Sequence, residues 1–448
     1  MKQLTRRDFL RVAGLAAGGA MVAGCVPQAT STTAPAAVEG GTVEGGSGTA
    51  ISGQVWCFWQ GFIDYYVESA KAYAAKYNKK FELASGLWGW DVYWDKLAVA
   101  LQTKVEAPLF AEAIPGYFDR YIVNDECLFL DITDKFKASP LYEGFVKSKL
   151  APYTWKGKIY GLDHDIAPAI MTYREDIWKD AGIDIAGIDL WDDFIQAAVD
   201  LKKKNPDIFP LSIRGGADFH VYLLQRTGEG YFNANGEILL DRPEAIELMN
   251  WFKTIYTDLK IADLDPGGEA FWAEMNKGKY ASVYAFSWSV GQYKGNMAEQ
   301  KGKWKVKALP AFEKGGRRTS TLGGEILGTV PGMIDPDEAW KFQEFARLEN
   351  KEAYMNFMMT YGNIPPYKPF MEDPRFKDNV DDYMNQRLYE VYSQIIDDVP
   401  TPYPSPFITD VQNMLAADFR AVLEGSRDPA EWLKSIADEV RKKQAEQA

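Results

Sequence analysis

Residues 54–85 read QVWCFWQGFIDYYVESAKAYAAKYNKKFELAS, and this stretch indicates the class of fold. The run QVWCFW is almost continuously apolar, which is typical of a strand buried on both faces of a sheet. The next segment carries Tyr66, Ala70, Tyr73, Ala74 and Tyr77 on one helical stripe, and FELAS then returns to a strand pattern. A strand, a helix and a second strand in this order predict an α/β fold.

Apolar runs and amphipathic segments continue to alternate along the rest of the chain. APLFAEAI (107–114) and KIYGLDHD (158–165) have strand character, and longer segments with helical spacing follow. No internal repeat is found, and no hydrophobic run reaches membrane-spanning length. With 448 residues, the chain is long enough for two lobes, each with its own core. The helical segments are LWDDFIQAAVDLKKK, PEAIELMNWFKTIY, DEAWKFQEFARLENKEAYMNFMMTYG and DPAEWLKSIADEVRKKQ.

The composition is acidic and poor in cysteine. Lys plus Arg number 50 against 63 Asp plus Glu, which gives a formal charge of -13. A body with this charge is poorly suited to bind nucleic acid or anionic lipid. Cys57 and Cys127 lie in apolar runs, so we predict two small buried residues, although the sequence leaves a disulfide between them open.

The N-terminus, MKQLTRRDFLRVAGLAAGGAMVAGC, combines a basic region with a short apolar run rich in Gly and Ala. This pattern predicts an export signal over residues 1–24. The segment TRRDFLR resembles a twin-arginine signal, and VAGC resembles a lipobox, which predicts lipidation of Cys25. Residues 26–50 carry almost no large apolar side chains, so we predict that residues 25–52 are a lipidated cysteine followed by a flexible tether. The protein is therefore expected to be extracytoplasmic and anchored to the cell membrane, in the periplasm or on the outer face.

Aromatic residues make up 14% of the chain and include 14 Trp. In GLWGWDVYWDKL (86–97), Trp94 falls on the apolar stripe of a helix that Asp91 can cap, whereas Trp88 and Trp90 lie in the loop before it. Open α/β sheets bind ligands at the carboxyl ends of their strands. Sugars pack their C–H faces on aromatic rings and hydrogen-bond planar polar groups. We therefore predict that Trp94 is core and that Trp88 or Trp90 contacts a carbohydrate.

Signatures of common catalytic sites are missing from the sequence. It has no Gly-x-Ser-x-Gly elbow, P-loop, dinucleotide glycine fingerprint or Cys-x-x-Cys pair, and only His164 and His220 are available for a His-based site. We predict no catalytic residue, no metal and no cofactor. A carboxylate pair for glycoside hydrolysis remains an alternative, because such a pair is defined by the distance between its two carboxyl groups in space.

Residues 157–182, GKIYGLDHDIAPAIMTYREDIWKDAG, resemble a motif of the extracytoplasmic solute-binding proteins of ABC transporters, the maltose-binding-protein-like family 1. That motif usually runs G-K-x-Y-G-L-P-Y-D-x-x-P and then Y-N-K-D-L-F-K-K-A-G. Further similar segments follow in the same order: FWAEMNKGKYASVYAFSWSVG, TSTLGGEILGTVPG and GNIPPYK. The resemblance covers the chain from Gly53 to about Gln444.

The resemblance implies a two-lobed α/β fold of the periplasmic-binding-protein type, with three crossing segments and a ligand cleft between the lobes. The crossings would lie near 163–166, 280–284 and 327–333. The N-terminal lobe would comprise 53–163 and 284–328, and the C-terminal lobe 166–280 and 333–448. The implied function is capture of a mono- or oligosaccharide and its delivery to membrane permease subunits, by a protein that is not an enzyme and works as a monomer.

Ligand contacts are predicted from both lobes. Asp165 and Trp288 match positions of the family motif, and the other residues follow from their loops at strand ends or turns. These others are Trp59, Gln60, Trp88, Trp90, Asp119, Gly324, Glu325, Tyr367 and Lys368.

Departures from the family pattern leave the ligand open. Asp163 stands where the family usually has Pro, Arg174 where it often has Asn, and Ser282 where it often has Met. Asp163, Arg174 and Glu325 would add charge near the cleft, so a binding protein for a polyol phosphate or a polyamine is the first alternative. A surface carbohydrate-active enzyme and a purely structural lipoprotein are the others.

Overall fold

The computed structural model describes residues 50–447. The predicted export signal, Cys25 and the tether up to residue 49 lie outside the described residues. Within the described part, no helix is long and apolar enough to cross a membrane.

The described residues form strands and helices in an order that mostly follows the predicted alternation. The strands are β1 Ile51–Cys57, β2 Phe81–Leu87, β3 Phe110–Ala113, β4 Ile122–Val123, β5 Glu126–Cys127, β6 Thr154–Trp155, β7 Lys158–Ile159, β8 Ala169–Arg174, β9 Leu211–Ile213, β10 Ala262–Leu264, β11 Ser282–Phe286, β12 Trp304–Ala308 and β13 Ile326–Thr329. The helices are α1 Gln60–Tyr77, α2 Trp90–Thr103, α3 Thr133–Ala138, α4 Glu175–Asp180, α5 Trp191–Lys204, α6 Gly216–Thr227, α7 Pro243–Lys253, α8 Gly268–Asn276, α9 Ser289–Asn296, α10 Pro336–Glu344, α11 Lys351–Tyr361, α12 Lys368–Met371, α13 Pro374–Lys377, α14 Tyr389–Tyr392, α15 Ile408–Leu423 and α16 Pro429–Gln447.

The N-terminal lobe is built on a four-stranded sheet in the order β13-β3-β1-β2. β1 runs parallel to β2 and β3, and β13 is antiparallel to β3. Helix α1 buries Tyr66, Ala70 and Tyr73 of the predicted stripe, whereas Tyr77 at its end is exposed. The helix stops at Asn78, which adopts the left-handed conformation that Asn tolerates at a helix end. The predicted α/β class is therefore confirmed.

The C-terminal lobe is built around β8, which pairs antiparallel with β11 on one side and β12 on the other. Strands β9 and β10 pair in parallel, and a bridge between Phe209 and Tyr280 connects them to this sheet. Helices of this lobe contribute buried Trp191, Phe252 and Trp432 to an apolar core that also contains Met171 of β8.

The pairing of the strands shows that the chain returns to the N-terminal lobe later than predicted. β11 and β12 pair with β8, so residues 284–308 belong to the C-terminal lobe. The chain rejoins the first sheet at β13, and α11 then packs on α1 of the N-terminal lobe. The predicted boundaries differ from this pairing because a fully buried strand has the same apolar pattern in either sheet.

Candidate functional site

A cavity of about 420 Å³ lies between the lobes, at the carboxyl ends of strands from both sheets. Trp90 follows β2, residues 114–117 follow β3, and Arg214 follows β9 directly. Since β1, β2 and β3 are parallel, their carboxyl ends share one edge of the sheet. This is the position that open α/β sheets use for ligands.

Most of the cavity wall is aromatic or apolar. Besides its tyrosine hydroxyls and the imidazole of His220, the wall has few polar side chains: Arg214, Gln412 and Asn413 supply charged and amide groups. Among the described residues that line the cavity, Arg214 alone carries a formal charge and none is a carboxylate. The rings on the wall belong to Trp90, Tyr117, His220, Tyr231, Phe232 and Tyr403.

Trp90 is held by its neighbours while much of it stays exposed. Its ring meets those of Phe58 and Trp94 edge-on, with centroids 5.0 Å away in both cases. The residue keeps 46% of its surface accessible, which is unusual for a Trp packed against an aromatic cluster. Trp94 itself is 3% exposed, as predicted for a core residue, and stacks on Tyr117 at 4.3 Å. The rings of Phe58 and Trp94 therefore hold the ring of Trp90 on the cavity wall.

Arg214 is fixed by contacts with neighbouring strands and helices. Its Nε lies 3.3 Å from Oδ2 of Asp265, and its backbone N–H donates to Oδ2 of Asp218 at 2.7 Å. The guanidinium carbon is 5.4 Å from the ring centroids of both Phe271 and Tyr284. Burial raises the pKa of Asp218 to about 7, and burial likewise raises that of Asp265. Arg214, the charged residue among the described residues of the wall, is thus already paired.

His220 contributes an uncharged polar ring. Burial lowers the pKa of its imidazole to about 4, so the ring is neutral at pH 7. The ring packs on Tyr231 at 4.4 Å, and Nδ1 has no hydrogen-bond partner among the described residues. A neutral imidazole can donate one hydrogen bond and accept another, which suits a hydroxyl group.

Of the predicted ligand contacts, Trp90 lines this cavity and the others do not. Trp88 packs on Trp56 at 5.5 Å, and Nζ of Lys96 lies 4.1 Å from its ring. Trp59 meets the ring of Tyr361 at 4.6 Å. Gln60 is exposed and donates to Asp64. None of these three side chains lines the cavity.

The predicted residues of the C-terminal lobe and the turns also have other contacts. Trp288 is half-buried and stacks on Phe286 at 5.4 Å. Tyr367 is buried and pairs with Phe145 through a backbone bridge. Lys368 is exposed, with Nζ 3.7 Å from Asp397.

Asp165 and Asp119 accept hydrogen bonds from other parts of the protein. The carboxylate of Asp165 is fully buried and accepts from the backbone N–H of Ala167 at 2.9 Å and of Ile364 at 2.8 Å. It therefore connects the first crossing to the segment after α11. Asp119, in a 3-10 helix at Pro115–Tyr121, accepts from Thr409 of the C-terminal lobe.

A buried group of ionisable side chains surrounds the crossing segments, and we call it the crossing cluster. Nζ of Lys149 lies 3.1 Å from Oδ2 of Asp163 and donates to the carbonyl of Gly323 at 2.9 Å. His164 lies between two carboxylates, with Nε2 3.2 Å from Glu325 and Nδ1 3.7 Å from Glu112. Burial raises the pKa of Glu112 to about 8, and burial together with the nearby carboxylates raises the pKa of Glu325 well above its ordinary value.

The charged residues that suggested a charged solute therefore have partners outside the cavity. Asp163 and Glu325 belong to the crossing cluster. Arg174 pairs with Asp176 beside β8. None of the three lines the cavity.

Several residues of the cavity wall were not predicted from the sequence. Arg214 follows the apolar strand LSI and precedes two glycines, so the strand-end rule that selected Trp90 would also have found it. Tyr403, Gln412 and Asn413 come from the C-terminal segment around α15, where no local signal indicates a cleft.

The sequence left a disulfide between Cys57 and Cys127 open. Cys57 and Cys127 are free, with Cys57 buried and Cys127 half-buried. Within residues 50–447, no group of His, Cys, Asp and Glu side chains is arranged to hold a metal ion.

Comparison with known proteins places these features in a family. Residues 68–383 match the model of the bacterial extracellular solute-binding proteins. The arabinooligosaccharide-binding protein of Halalkalibacterium halodurans is 26% identical over 396 residues, which cover 86% of this chain and 88% of that protein. The lactose-binding protein of Rhizobium radiobacter is 23% identical over 410 residues, covering 88% and 94% of the two chains.

A solved structure has the same fold. The ABC-transporter-associated binding protein of B. animalis subsp. lactis Bl-04, solved with β-1,6-galactobiose, superposes with a TM-score of 0.71 at 22% identity, over 89% of this chain and 98% of that one. Because the family model spans most of the chain, and the fold agrees with it, this protein belongs to the family of bacterial extracellular solute-binding proteins.

Proposed function

We propose that this protein captures an uncharged oligosaccharide in the cavity between its lobes and delivers it to the permease of an ABC importer. The observation that carries the proposal is the wall itself, which combines exposed rings with amide, imidazole and hydroxyl groups and a single, already paired charge. Rings and neutral polar groups suit the two kinds of surface that a sugar presents. The named relatives, which bind arabino-oligosaccharides and lactose, support this substrate class.

The alternatives fit the cavity less well. A polyamine or a polyol phosphate would require unpaired charge on the wall, and Arg214 is paired with Asp265. A glycoside hydrolase would require two carboxylates facing each other across the bound sugar, and no carboxylate is among the described residues that line the cavity. These observations favour binding without bond cleavage.

Binding would work through closure of the lobes about the crossing segments. A solute held by rings of both lobes contacts more surface in the closed state than in the open one, and only this difference shifts the equilibrium. The permease would then receive the closed, loaded protein. Of the predicted contacts, we retain Trp90 and add Arg214, His220, Tyr403, Gln412 and Asn413.

The test is calorimetric titration with arabino-oligosaccharides, lactose and β-1,6-galactobiose, followed by mass spectrometry of the recovered sugar. We expect saturable binding of an intact sugar. Trp90→Ala should weaken binding at least tenfold, about 1.4 kcal/mol, because it removes an exposed ring from the wall.

Trp88→Ala is the matched control, since Trp88 lies two residues before Trp90, in the turn between β2 and α2, and packs outside the cavity. Its affinity should stay within about threefold of wild type. Equal losses in both variants would contradict the assignment of the wall, and binding only of a charged solute would contradict the substrate class.

We also propose that the chain is exported and lipid-anchored through Cys25 and acts as a monomer. Its membership in an extracellular family supports export, and the resemblance of VAGC to a lipobox supports the anchor. In a detergent phase-partition assay, the wild type should enter the detergent phase and Cys25→Ser the aqueous phase. Light scattering of Cys25→Ser should give the mass of one chain.

A further inference from the structure

The carboxylate of Asp119 connects the two lobes across the cleft. Its Oδ2 accepts from the backbone N–H of Thr409 at 3.2 Å, and its Oδ1 accepts from the Thr409 hydroxyl at 3.2 Å. Asp119 lies in the N-terminal lobe, whereas Thr409 is in the first turn of α15, which packs on α6, α7 and α16 of the C-terminal lobe. Asp119 is 8% exposed.

This contact replaces a local helix cap. The residue before α15, Phe407, has no side chain that can accept from the first N–H groups. Such groups are normally satisfied by a Ser, Thr, Asp or Asn of the same segment, and a negative charge there also interacts favourably with the helix dipole. Here the acceptor comes from the other lobe. Opening the cleft would therefore return Asp119 to water and leave the helix end uncapped.

The contact adjoins the cavity without being part of its wall. Gly116 and Tyr117, just before Asp119, line the cavity, and so do Ile408 and Gln412 on either side of Thr409. A Cβ built on Gly116 would lie 3.3 Å from Nε2 of Gln412, which shows how closely the two lobes approach here. Closure on a solute therefore forms the Asp119 contact at the same time.

We propose that Asp119 is a positioning residue of the closed state, which caps α15 across the cleft and couples solute affinity to proton uptake. The residue acts on affinity through closure and does not touch the solute. The inference rests on the proposed function only for the closing motion.

The direction of the pH effect follows from burial. Burial raises the pKa of Asp119 to about 6 in the closed state, despite the opposing hydrogen bonds from Thr409 and the nearby charge of Arg120. An exposed Asp has a pKa near 3.9, so closure takes up a proton between about pH 4 and pH 6. The closed state is therefore stabilised, and the affinity for the solute rises, as the pH falls through 6. The titratable groups on the elements packed around Asp119 are Tyr117, Arg120 and Tyr121 of its own helix, Asp91, Tyr93, Asp95 and Lys96 of α2, Tyr153, and Asp410, Asp418 and Arg420 of α15.

The first test measures affinity for the sugar identified above, at pH 7.5 and pH 5. Wild type should bind about tenfold more tightly at pH 5, as the two pKa values require. Asp119→Asn, which stays neutral and keeps an acceptor for Thr409, should lose this dependence. Asp119→Ala should bind roughly three- to thirtyfold more weakly than Asp119→Asn, the usual effect of a lost cap. Identical pH profiles in wild type and Asp119→Asn would overturn the proposal.

The second test needs no solute. Gly116→Cys and Gln412→Cys are combined in a chain carrying Cys25→Ser and Cys127→Ser, and a short thiol-reactive cross-linker is added at pH 7. Asp119→Asn should cross-link faster than Asp119→Ala, because it stabilises the closed state. Asp95→Asn, which removes the exposed partner of Arg120, should match wild type. Equal rates for the Asn and Ala variants would overturn the proposal, whereas a missing sugar response alone would count only against the proposed function.

Discussion

At the scale of single residues, Trp88 and Trp90 illustrate how far the sequence could be interpreted. Trp88 lies in the turn after β2 and Trp90 is the first residue of α2, and the strand-end rule selects both equally. Their side chains diverge because Trp88 packs on Trp56 and Lys96, whereas Trp90 contacts the cluster of Phe58 and Trp94. Those partners depend on tertiary packing, so the sequence could predict a site after β2 but not which ring faces the cavity. The helix also begins at Trp90, one residue before the predicted cap Asp91.

Arg214 should be a strong determinant of binding. Arg214→Met removes the cation from the wall and leaves the nearly buried carboxylate of Asp265 without its partner. We expect at least a tenfold loss of solute affinity, about 1.4 kcal/mol, measured by calorimetry.

Arg226→Met is the control for this substitution. Arg226 has a similar side-chain exposure, pairs with Glu247 and lies outside the cleft cavity. Its affinity should equal that of wild type within about twofold. If Arg226→Met weakened binding as much as Arg214→Met, loss of general stability rather than a wall contact would explain both.

At the scale of elements, the first strands and helices could be predicted because their local patterns are unambiguous. β1, α1 and β2 lie where the apolar run, the helical stripe and the second run indicated. The lobe to which β11 belongs could not be derived in this way, since its five residues are all buried and any inner sheet position would suit them.

The turn before β13 depends on a glycine. Gly324 has φ +112°, and a Cβ there would lie 2.1 Å from Oδ2 of Asp163, which pairs with Lys149 in the crossing cluster. Gly324→Ala should therefore lower the free energy of unfolding by at least about 2 kcal/mol, measured by urea denaturation.

The neighbouring glycine provides the comparison for that substitution. The nearest atom to a Cβ on Gly323 is Cβ of Ala167 at 4.0 Å, so Gly323→Ala should change the free energy of unfolding by no more than about 0.5 kcal/mol. Similar losses at both positions would show that the Asp163 contact does not explain the requirement for glycine.

At the scale of the whole molecule, the lobes are joined by more than a linker. β13 pairs with β3 after the chain has built the C-terminal lobe, and Asp165 and Lys149 connect the crossing segments. The lobes should therefore unfold in one cooperative transition.

Calorimetric unfolding checks this cooperativity. A solute at 100 times its Kd adds about 2.7 kcal/mol, which should raise the Tm by roughly 3 °C for a single unit of about 400 residues. Two separate transitions, of which only one shifts with solute, would contradict a cooperative molecule.

The position of β13 has a consequence for synthesis. β3 ends at Ala113 and its partner β13 begins at Ile326, so one edge of the first sheet has no partner until more than half of the chain has been made. At 5–20 residues per second, this interval is roughly 10 to 40 s. During that time β3 offers unpaired N–H and C=O groups to other nascent chains, which is the usual route to aggregation through a strand edge. A chaperone that covers β3 on the ribosome should therefore raise the yield of folded protein more than one that acts after release.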